Sequence, residues 1–412
     1  MNIRGKNLVA GKLENGKTGK PFQATNPRNG EKLDPDFHEA TPDIINRAIN
    51  KGLEAFKILR QTSPQKRADF LETLAAEVEL RAESIIRRAQ DETALGESRL
   101  KMEFERTIAQ PRVFAGLIRE GSWIDAKIDR ADPTRKPFKR PSMRSILQPI
   151  GPIAVFGASN FPLAISVAGT DTICAFAAGC PVIVKAHPAH PGTCELTAEA
   201  VIAALQKHGL PSGCFSLLQG ASKKTGQAIV QHPDLSAVAF TGSLMGGRAI
   251  MDAAAARKKP IPVFAEMGSL NPVFLLPEAL KKRSKDIATG FLNSLTMGVG
   301  QFCTNPGVLL ALDSPELDDF LKHLSDGIGR IQPRTMLHSG IFQNYNSILK
   351  IFCQTQGVRI HTRSGITSNP ARIEADTLVL ETDYTTWCMR EELRQECFGP
   401  ASIVVRIKNL EE

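Results

Sequence analysis

Apolar side chains recur at helical spacing through the early part of the chain. Ile45, Ala48, Ile49, Leu53 and Phe56 repeat at three and four residues, as do Phe70, Leu71, Leu74, Val78, Ile85 and Ile86, so each set lines one face of a 3.6-residue helix. Thr41-Pro42-Asp43 and Ser63-Pro64-Gln65 place a capping hydroxyl before a proline, which marks helix starts. This first region is predicted to be mostly helix. Between Gly121 and Gln148 the pattern becomes extended, over Ser122 to Ile128 and Ser142 to Leu147, interrupted by Asp132-Pro133 and a basic stretch. Two strands alone do not hold together, so this ribbon has to pack elsewhere, as on another subunit.

From Gly151 to Glu266 short apolar runs alternate with helical patterns. Ile153 to Phe156 precedes a helix ending near Gly179, and Pro181 to Lys185 one ending near Gly209. Phe215 to Leu218 precedes Ser222 to Gln231, and Ala237 to Phe240 precedes Gly246 to Ala256. Such alternation predicts right-handed βαβ units and a mostly parallel sheet, an α/β fold, whose ligands bind beyond the carboxyl ends of the strands. A second α/β segment follows Glu266, with a strand over Asn271 to Leu276 and a helix over Arg283 to Met297. No internal repeat interrupts the pattern.

Composition narrows the class. A chain of 412 residues with 42% apolar and 23% charged residues is an ordinary globular protein large enough for two or more domains. The net charge of +8 is partly concentrated between Lys127 and Arg144, but no aromatic interleaving accompanies it, so a solvated arm is expected and no nucleic-acid partner. The N-terminus lacks the apolar core of a signal peptide, and the most apolar stretch, Phe161 to Val184, holds Asp171, Gly179 and Pro181. A cytoplasmic location without membrane attachment is expected. Eight cysteines without paired C-x-x-C spacing argue against a disulfide framework or a structural zinc, and seven are expected to be buried as small apolar residues. His187 and His190 are separated by prolines and lack further ligands, so no metal site is expected.

Candidate chemistry gathers at a few points. Cys303 lies in Gly300-Gln301-Phe302-Cys303-Thr304-Asn305, a loop composition that lets backbone approach a substrate and suits a nucleophilic thiolate. Asn160 follows the first parallel strand in Phe156-Gly157-Ala158-Ser159-Asn160-Phe161-Pro162, where its amide can either face a developing oxyanion or hold a turn. Glu266 ends an apolar run in Phe264-Ala265-Glu266-Met267-Gly268 and fits a general base. Lys185 ends Val182-Ile183-Val184-Lys185, where its tip can reach a ribose or phosphate. Neither G-x-G-x-x-G after the first strand nor a P-loop is present, so cofactor binding is only suggested.

These four motifs, with Gln395-Glu396-Cys397-Phe398-Gly399-Pro400 in order after them, resemble the aldehyde dehydrogenase superfamily. The resemblance implies a Rossmann-like cofactor-binding domain over 149–265 with a helical part over 1–120, a β-ribbon oligomerisation arm over 121–148 and an α/β catalytic domain over 266–412. It implies that Cys303 attacks an aldehyde, that Asn160 and the Cys303 backbone N–H hold the oxyanion, and that Glu266 activates water to release the acid from a thioester. Lys185, Glu396 and Phe398 would position NADP or NAD, with Gly242 and Ser243 by its phosphates. The partners implied are a small-molecule aldehyde and further copies of the chain, as a homodimer or homotetramer.

Phe302, Thr304-Asn305-Pro306-Gly307, Met267-Gly268-Ser269-Leu270-Asn271-Pro272 and Lys185-Ala186-His187-Pro188 resemble in particular the 2-oxoglutarate semialdehyde (2,5-dioxopentanoate) dehydrogenases. Fatty or other aliphatic aldehydes are the alternative substrates, and a catalytically silent nucleotide-binding fold is the alternative from another class. Two departures stand out: Gly268-Ser269-Leu270 where common members have Gly-Gly-Lys, and Pro188 where many NAD-selective members carry a glutamate. The chain stops at Asn409-Leu410-Glu411-Glu412, short of family members, so a truncated C-terminus is expected.

Overall fold

Ahead of the helices lie four short strands, β1 (Asn7–Val9), β2 (Lys12–Glu14), β3 (Pro21–Thr25) and β4 (Lys32–His38). The helical pattern read over Asp43 to Leu95 begins after these strands, at Pro42. Strands β1 and β2 have three residues and β3 five, too few to register a period, and the alternation of Leu33, Pro35 and Phe37 in β4 includes a proline that argues against a strand. The computed structural model describes residues 3–14, 19–365, 369, 372–409 and 411. Leu410 and Glu412 at the chain end, like Met1 and Asn2, lie outside the described residues.

Helices α1 (Pro42–Leu59) and α2 (Pro64–Glu79) begin at the two predicted caps, where Thr41 Oγ1 accepts from Ile44 N at 3.4 Å and Ser63 Oγ from Lys66 N at 3.3 Å. Each hydroxyl satisfies an amide that has no partner within its helix. Two further helices follow, α3 (Ala82–Thr93) and α4 (Glu97–Glu120). The ribbon pairs β5 (Lys127–Asp129) with β6 (Met143–Ser145), antiparallel with Ile128 opposite Arg144. Ser122–Ile124, predicted to be extended, is instead a 3-10 turn. Gly121 (φ 87°) and Asp125 (φ 48°) flank it in left-handed conformation, which a continuous strand does not allow.

The βαβ alternation is realised as β7 (Ile153–Phe156), α5 (Thr170–Ala178), β8 (Val182–Lys185), α6 (Pro191–Lys207), β9 (Phe215–Leu218), α7 (Lys223–Gln231), β10 (Ala237–Thr241), α8 (Leu244–Ala255) and β11 (Val263–Glu266). The sheet order is β11-β10-β7-β8-β9-β1-β2, parallel from β11 to β9. From β7 the chain winds one way through β8 and β9, then returns to the other side for β10 and β11. The winding thus reverses between β7 and β10, the point at whose carboxyl edge such sheets bind ligands.

The three loops leaving β7, β8 and β9 are each gripped by one carboxylate from earlier in the chain. Glu103 of α4 accepts from Leu163 N (2.7 Å) and Ala164 N (2.9 Å). Glu92 of α3 accepts from Gly192 N and Thr193 N, both at 2.9 Å, and from Thr193 Oγ1. Glu39 accepts from Ala221 N and from the N and Oγ of Ser222. The last two sit at the starts of α6 and α7, where helix amides lack internal partners and an anion is favoured.

These residues divide between two units: Met1–Ala24, Leu33–Glu92 and Gly96–Met267 form the first, and Thr25–Lys32, Thr93–Leu95 and Gly268–Glu412 the second. The second holds β12 (Pro272–Leu275), α9 (Pro277–Thr296), β13 (Val308–Leu312), α10 (Pro315–Ile328), β14 (Arg334–Thr335), α11 (Ser339–Gln354), β15 (Arg359–Arg363), β16 (Glu374–Ala375), β17 (Leu378–Asp383), α12 (Tyr384–Met389) and β18 (Ala401–Ile407). Its main sheet runs β12-β13-β18-β17-β15, with only β15 antiparallel. Leu309, Val379 and Val404 pack with Phe291, Phe320 and Leu324, while their neighbours Val308, Leu380 and Val405 join Tyr345, Phe352 and Met336. Alternate side chains thus feed cores on opposite faces.

The helix expected from Arg283 begins at Pro277; Arg283 itself is a non-helical kink within it (φ −146°). Nor are seven cysteines buried. Cys180, Cys194 and Cys214 are, whereas Cys174, Cys353 and Cys388 are exposed, because they take outward positions on α5, α11 and α12.

Glu92 is fully buried and ion-paired to Arg88 at 2.9 Å. Glu92→Gln removes the charge and leaves Arg88 without its counter-ion, so urea unfolding should show a loss of about 3 kcal/mol. A change under about 0.5 kcal/mol, the size of an ordinary surface substitution, would show the clamp to be dispensable.

Candidate active site

Four adjacent strands of the first unit deliver the predicted side chains to one edge of the sheet. Glu266 ends β11, Gly242 and Ser243 follow β10, Asn160 lies in the turn after β7 and Lys185 ends β8. Gly242 N donates to the Glu266 carbonyl at 3.0 Å, and Ser243 Oγ caps α8 by accepting from Gly246 N at 3.2 Å. The pair therefore opens a helix N-terminus at the switch-point crevice, a favourable place for phosphate. Lys185 is half-buried. Burial pushes its amine down to about 8, although Cys194 and Glu39 pull the other way. Glu266 is exposed, and its charge, second to burial, raises the carboxyl of Asp171.

The turn bearing Asn160 is fixed from several sides. Ala158 N donates to Ile165 O at 2.9 Å, and His190 Nε2 donates to Ala158 O at 3.2 Å. Gly157 allows that close return, since a Cβ there would stand 2.5 Å from Ile165 O. Glu103 holds the amides of Leu163 and Ala164, while Arg99, 2.7 Å from Glu103, donates to the Asn160 carbonyl at 3.4 Å. Burial raises the Glu103 carboxyl even though Arg99 and the two amides favour its ionised form. Sequence patterning missed both Arg99 and Glu103. Their i,i+4 spacing was the available signal, and it reads equally well as a surface ion pair.

In the second unit the Cys303 loop departs from α9 through three consecutive left-handed residues, Gly298 (φ 55°), Val299 (φ 61°) and Gly300 (φ 66°). For a β-branched valine this is a strained conformation. Buried Gln301 ties the turn down, donating to Gly298 O at 3.0 Å and accepting from Leu337 N at 3.0 Å. Asn271 donates to the carbonyls of Cys303 (2.7 Å) and Asn305 (2.9 Å), and Asn305 donates to Gly399 O at 3.2 Å. Cys303 is half-buried at the head of this brace. Glu396 accepts from Ser269 N at 3.3 Å, and burial raises its carboxyl. With Phe302 and Phe398 it lines one small recess. Neither Asn271 nor Gln301 was singled out from sequence, because single amides carry no spacing signal.

The first unit offers a helix N-terminus at the carboxyl edge of a parallel sheet and the second a thiol on a braced loop, and the chain matches known proteins. The aldehyde dehydrogenase family pattern matches residues 14–337. The chain belongs to the aldehyde dehydrogenase family. It is 43% identical over 413 residues to alpha-ketoglutaric semialdehyde dehydrogenase 2 of Azospirillum brasilense, covering 100% of this chain and 78% of the relative. It is 40% identical over 376 residues to the alpha-ketoglutaric semialdehyde dehydrogenase of Acinetobacter baylyi, covering 90% and 70%. Among solved structures, betaine aldehyde dehydrogenase of Staphylococcus aureus in complex with NAD+ superposes with a TM-score of 0.84 at 20% identity, over 100% of this chain and 81% of that one. A NAD-dependent benzaldehyde dehydrogenase of Corynebacterium glutamicum gives 0.82 at 19%, over 99% and 85%. These two likenesses show the fold. Among the described residues, no helix is long and apolar enough to cross a membrane.

Gly300 tests the brace. A Cβ there would stand 2.3 Å from the Gly399 carbonyl carbon, and the positive φ already disfavours any side chain. Gly300→Ala should destabilise the protein by roughly 1–3 kcal/mol and change the rate at which iodoacetamide alkylates Cys303. An unaltered melting temperature together with an unaltered alkylation rate would show that the turn does not position the thiol.

Proposed function

We propose that this protein oxidises 2-oxoglutarate semialdehyde to 2-oxoglutarate, using NAD or NADP, by covalent catalysis at Cys303. The observation that carries the reading is the braced Cys303 loop in a chain 43% and 40% identical to two alpha-ketoglutaric semialdehyde dehydrogenases. In this reading residues 149–265, with helices from 1–120, bind the cofactor, and 266–412 carry the nucleophile. The arm over 121–148, whose Ile128, Ile146 and Leu147 are exposed, takes part in a homo-oligomer.

The Cys303 thiolate attacks the aldehyde carbon, a C–S bond forms, and the carbonyl oxygen becomes an oxyanion held by the Asn160 amide and the Cys303 N–H. When bound, a nicotinamide cofactor would supply the oxidation as hydride acceptor, converting the thiohemiacetal on Cys303 to a thioester. Glu266, exposed at its strand end, takes a proton from water, whose oxygen attacks the thioester; the C–S bond breaks, and acid and thiolate separate. On the cofactor side, Gly242 and Ser243 suit the phosphates, Lys185 a ribose or 2′-phosphate, and Glu396 and Phe398 the nicotinamide end. Pro188 brings no carboxylate against a 2′-phosphate, and Glu39, whose charge reaches Lys185, is bound to the Ala221 and Ser222 amides. Acceptance of both cofactors fits that arrangement.

Cys303→Ala should abolish oxidation of 2,5-dioxopentanoate while a fluorescence titration still shows the reduced cofactor binding. Residual steady-state turnover near the wild-type rate would remove the covalent mechanism, and a wild-type preference for hexanal over 2,5-dioxopentanoate would remove the substrate. For Glu266→Gln, acylation survives and hydrolysis does not, so stopped-flow absorbance should show a burst of reduced nicotinamide and then a rate lower by about a hundredfold. An undiminished steady state would exclude Glu266 as the base.

A further inference from the structure

Helix α4 carries four arginines, and three of them are matched by carboxylates. Arg99 pairs with Glu103, Arg112 with Glu79, and Arg119 with Asp69 and Glu72. Arg106 has no carboxylate partner among the described residues. Its guanidinium lies over the ring of Phe161, 5.5 Å from the centroid, and Arg99 covers the same ring at 4.6 Å. Phe161 is buried, at 8% exposure, and directly follows Asn160. Arg99, Glu103 and Arg106 stand at i, i+4 and i+7 and so share one helix face, turned to the loop that bears Asn160. On that face Glu103 is already committed to Arg99 and to the amides of Leu163 and Ala164. An exposed arginine usually needs only water, but stacking on an aromatic ring fixes the direction of this one.

We infer that Arg106 is the specificity-determining residue that recognises the carboxylate of an acidic aldehyde, held in place by Phe161 while Arg99 and Glu103 fix the loop beside it. The chemistry is a guanidinium presenting paired N–H donors to a carboxylate. A neutral aldehyde of the same length has nothing to offer that group. This inference rests on the proposed oxidation of an acidic aldehyde at the Asn160 and Cys303 machinery.

The test compares kcat/KM for 2,5-dioxopentanoate and 4-oxobutanoate with that for pentanal in the wild type, Arg106→Ala and Arg106→Lys, and follows 2-oxoglutarate binding by calorimetry. The alanine variant should lower the acid-to-neutral ratio at least tenfold, mostly through KM, and weaken 2-oxoglutarate at least tenfold. Lysine should restore part of both. An unchanged ratio, a loss shared equally by the acids and pentanal, or a wild type that prefers pentanal to both acids would overturn the inference. If the wild type oxidises 4-oxobutanoate but not 2,5-dioxopentanoate, and the ratio still depends on Arg106, the proposed substrate falls and the inference stands. If no aldehyde is oxidised, the calorimetry decides: binding of 2-oxoglutarate that depends on Arg106 supports the assignment, and binding that is absent or indifferent to Arg106 overturns it.

Discussion

Pairs of consecutive backbone amides, each held by a single carboxylate, are the constraint on which the first unit depends. A parallel sheet leaves its βα loops with unpaired N–H groups, and buried donors without partners cost about 1–3 kcal/mol each. Glu103, Glu92 and Glu39 answer this after β7, β8 and β9 respectively, and Glu195 does the same for the amides of Arg4 and Gly5. Removing a carboxylate from water costs several kcal/mol, so the arrangement is stable only because charge-assisted bonds converge on each oxygen pair. Glu103 and Glu92 each have an arginine four residues earlier as well. The consequence is rigidity at the carboxyl edge, where ligands of such sheets bind.

The second unit fixes its loop by a different device. Glycine, asparagine and glutamine supply its geometry. Gly298 and Gly300 adopt positive φ at little cost, but Val299 between them does not. The turn survives because Gln301, Asn271 and Asn305 over-determine it with five hydrogen bonds.

How legible each part was in the sequence follows from the range of the interaction that makes it. The caps of α1 and α2 are local, and Thr41 and Ser63 act as their spacing predicts. Strands such as Val182 to Lys185 are buried on both faces and so read as continuous apolar runs. Asn160, Gly242, Glu266 and Lys185 stood out as candidates because they lie at or just after strand ends, where such sheets bind ligands. By contrast β1 to β3 are too short to show a period, β4 carries Pro35 within its alternation, and α4 contains Pro111 in its interior, which reads as a break. The clamps were invisible for another reason: Glu92 and Glu103 meet their amides 60 to 101 residues away, and nothing in a one-dimensional pattern distinguishes them from surface ion pairs.

The placement of Arg106 follows from the same architecture. A binding group that must discriminate between an acidic and a neutral aldehyde needs a fixed position, since a mobile cation would follow any anion and also release it. Loops of the carboxyl edge are held by α3 and α4, so a side chain on α4 inherits the precision of the clamp without being part of it. Phe161 links the two functions, because its backbone belongs to the Asn160 turn and its ring supports the Arg106 guanidinium. In the proposed reading, a shift of that turn would therefore move oxyanion support and carboxylate recognition together. On that proposal substrate length would be measured between two groups on one frame, and an aldehyde whose carboxylate stands at the wrong distance would engage one of them at the expense of the other.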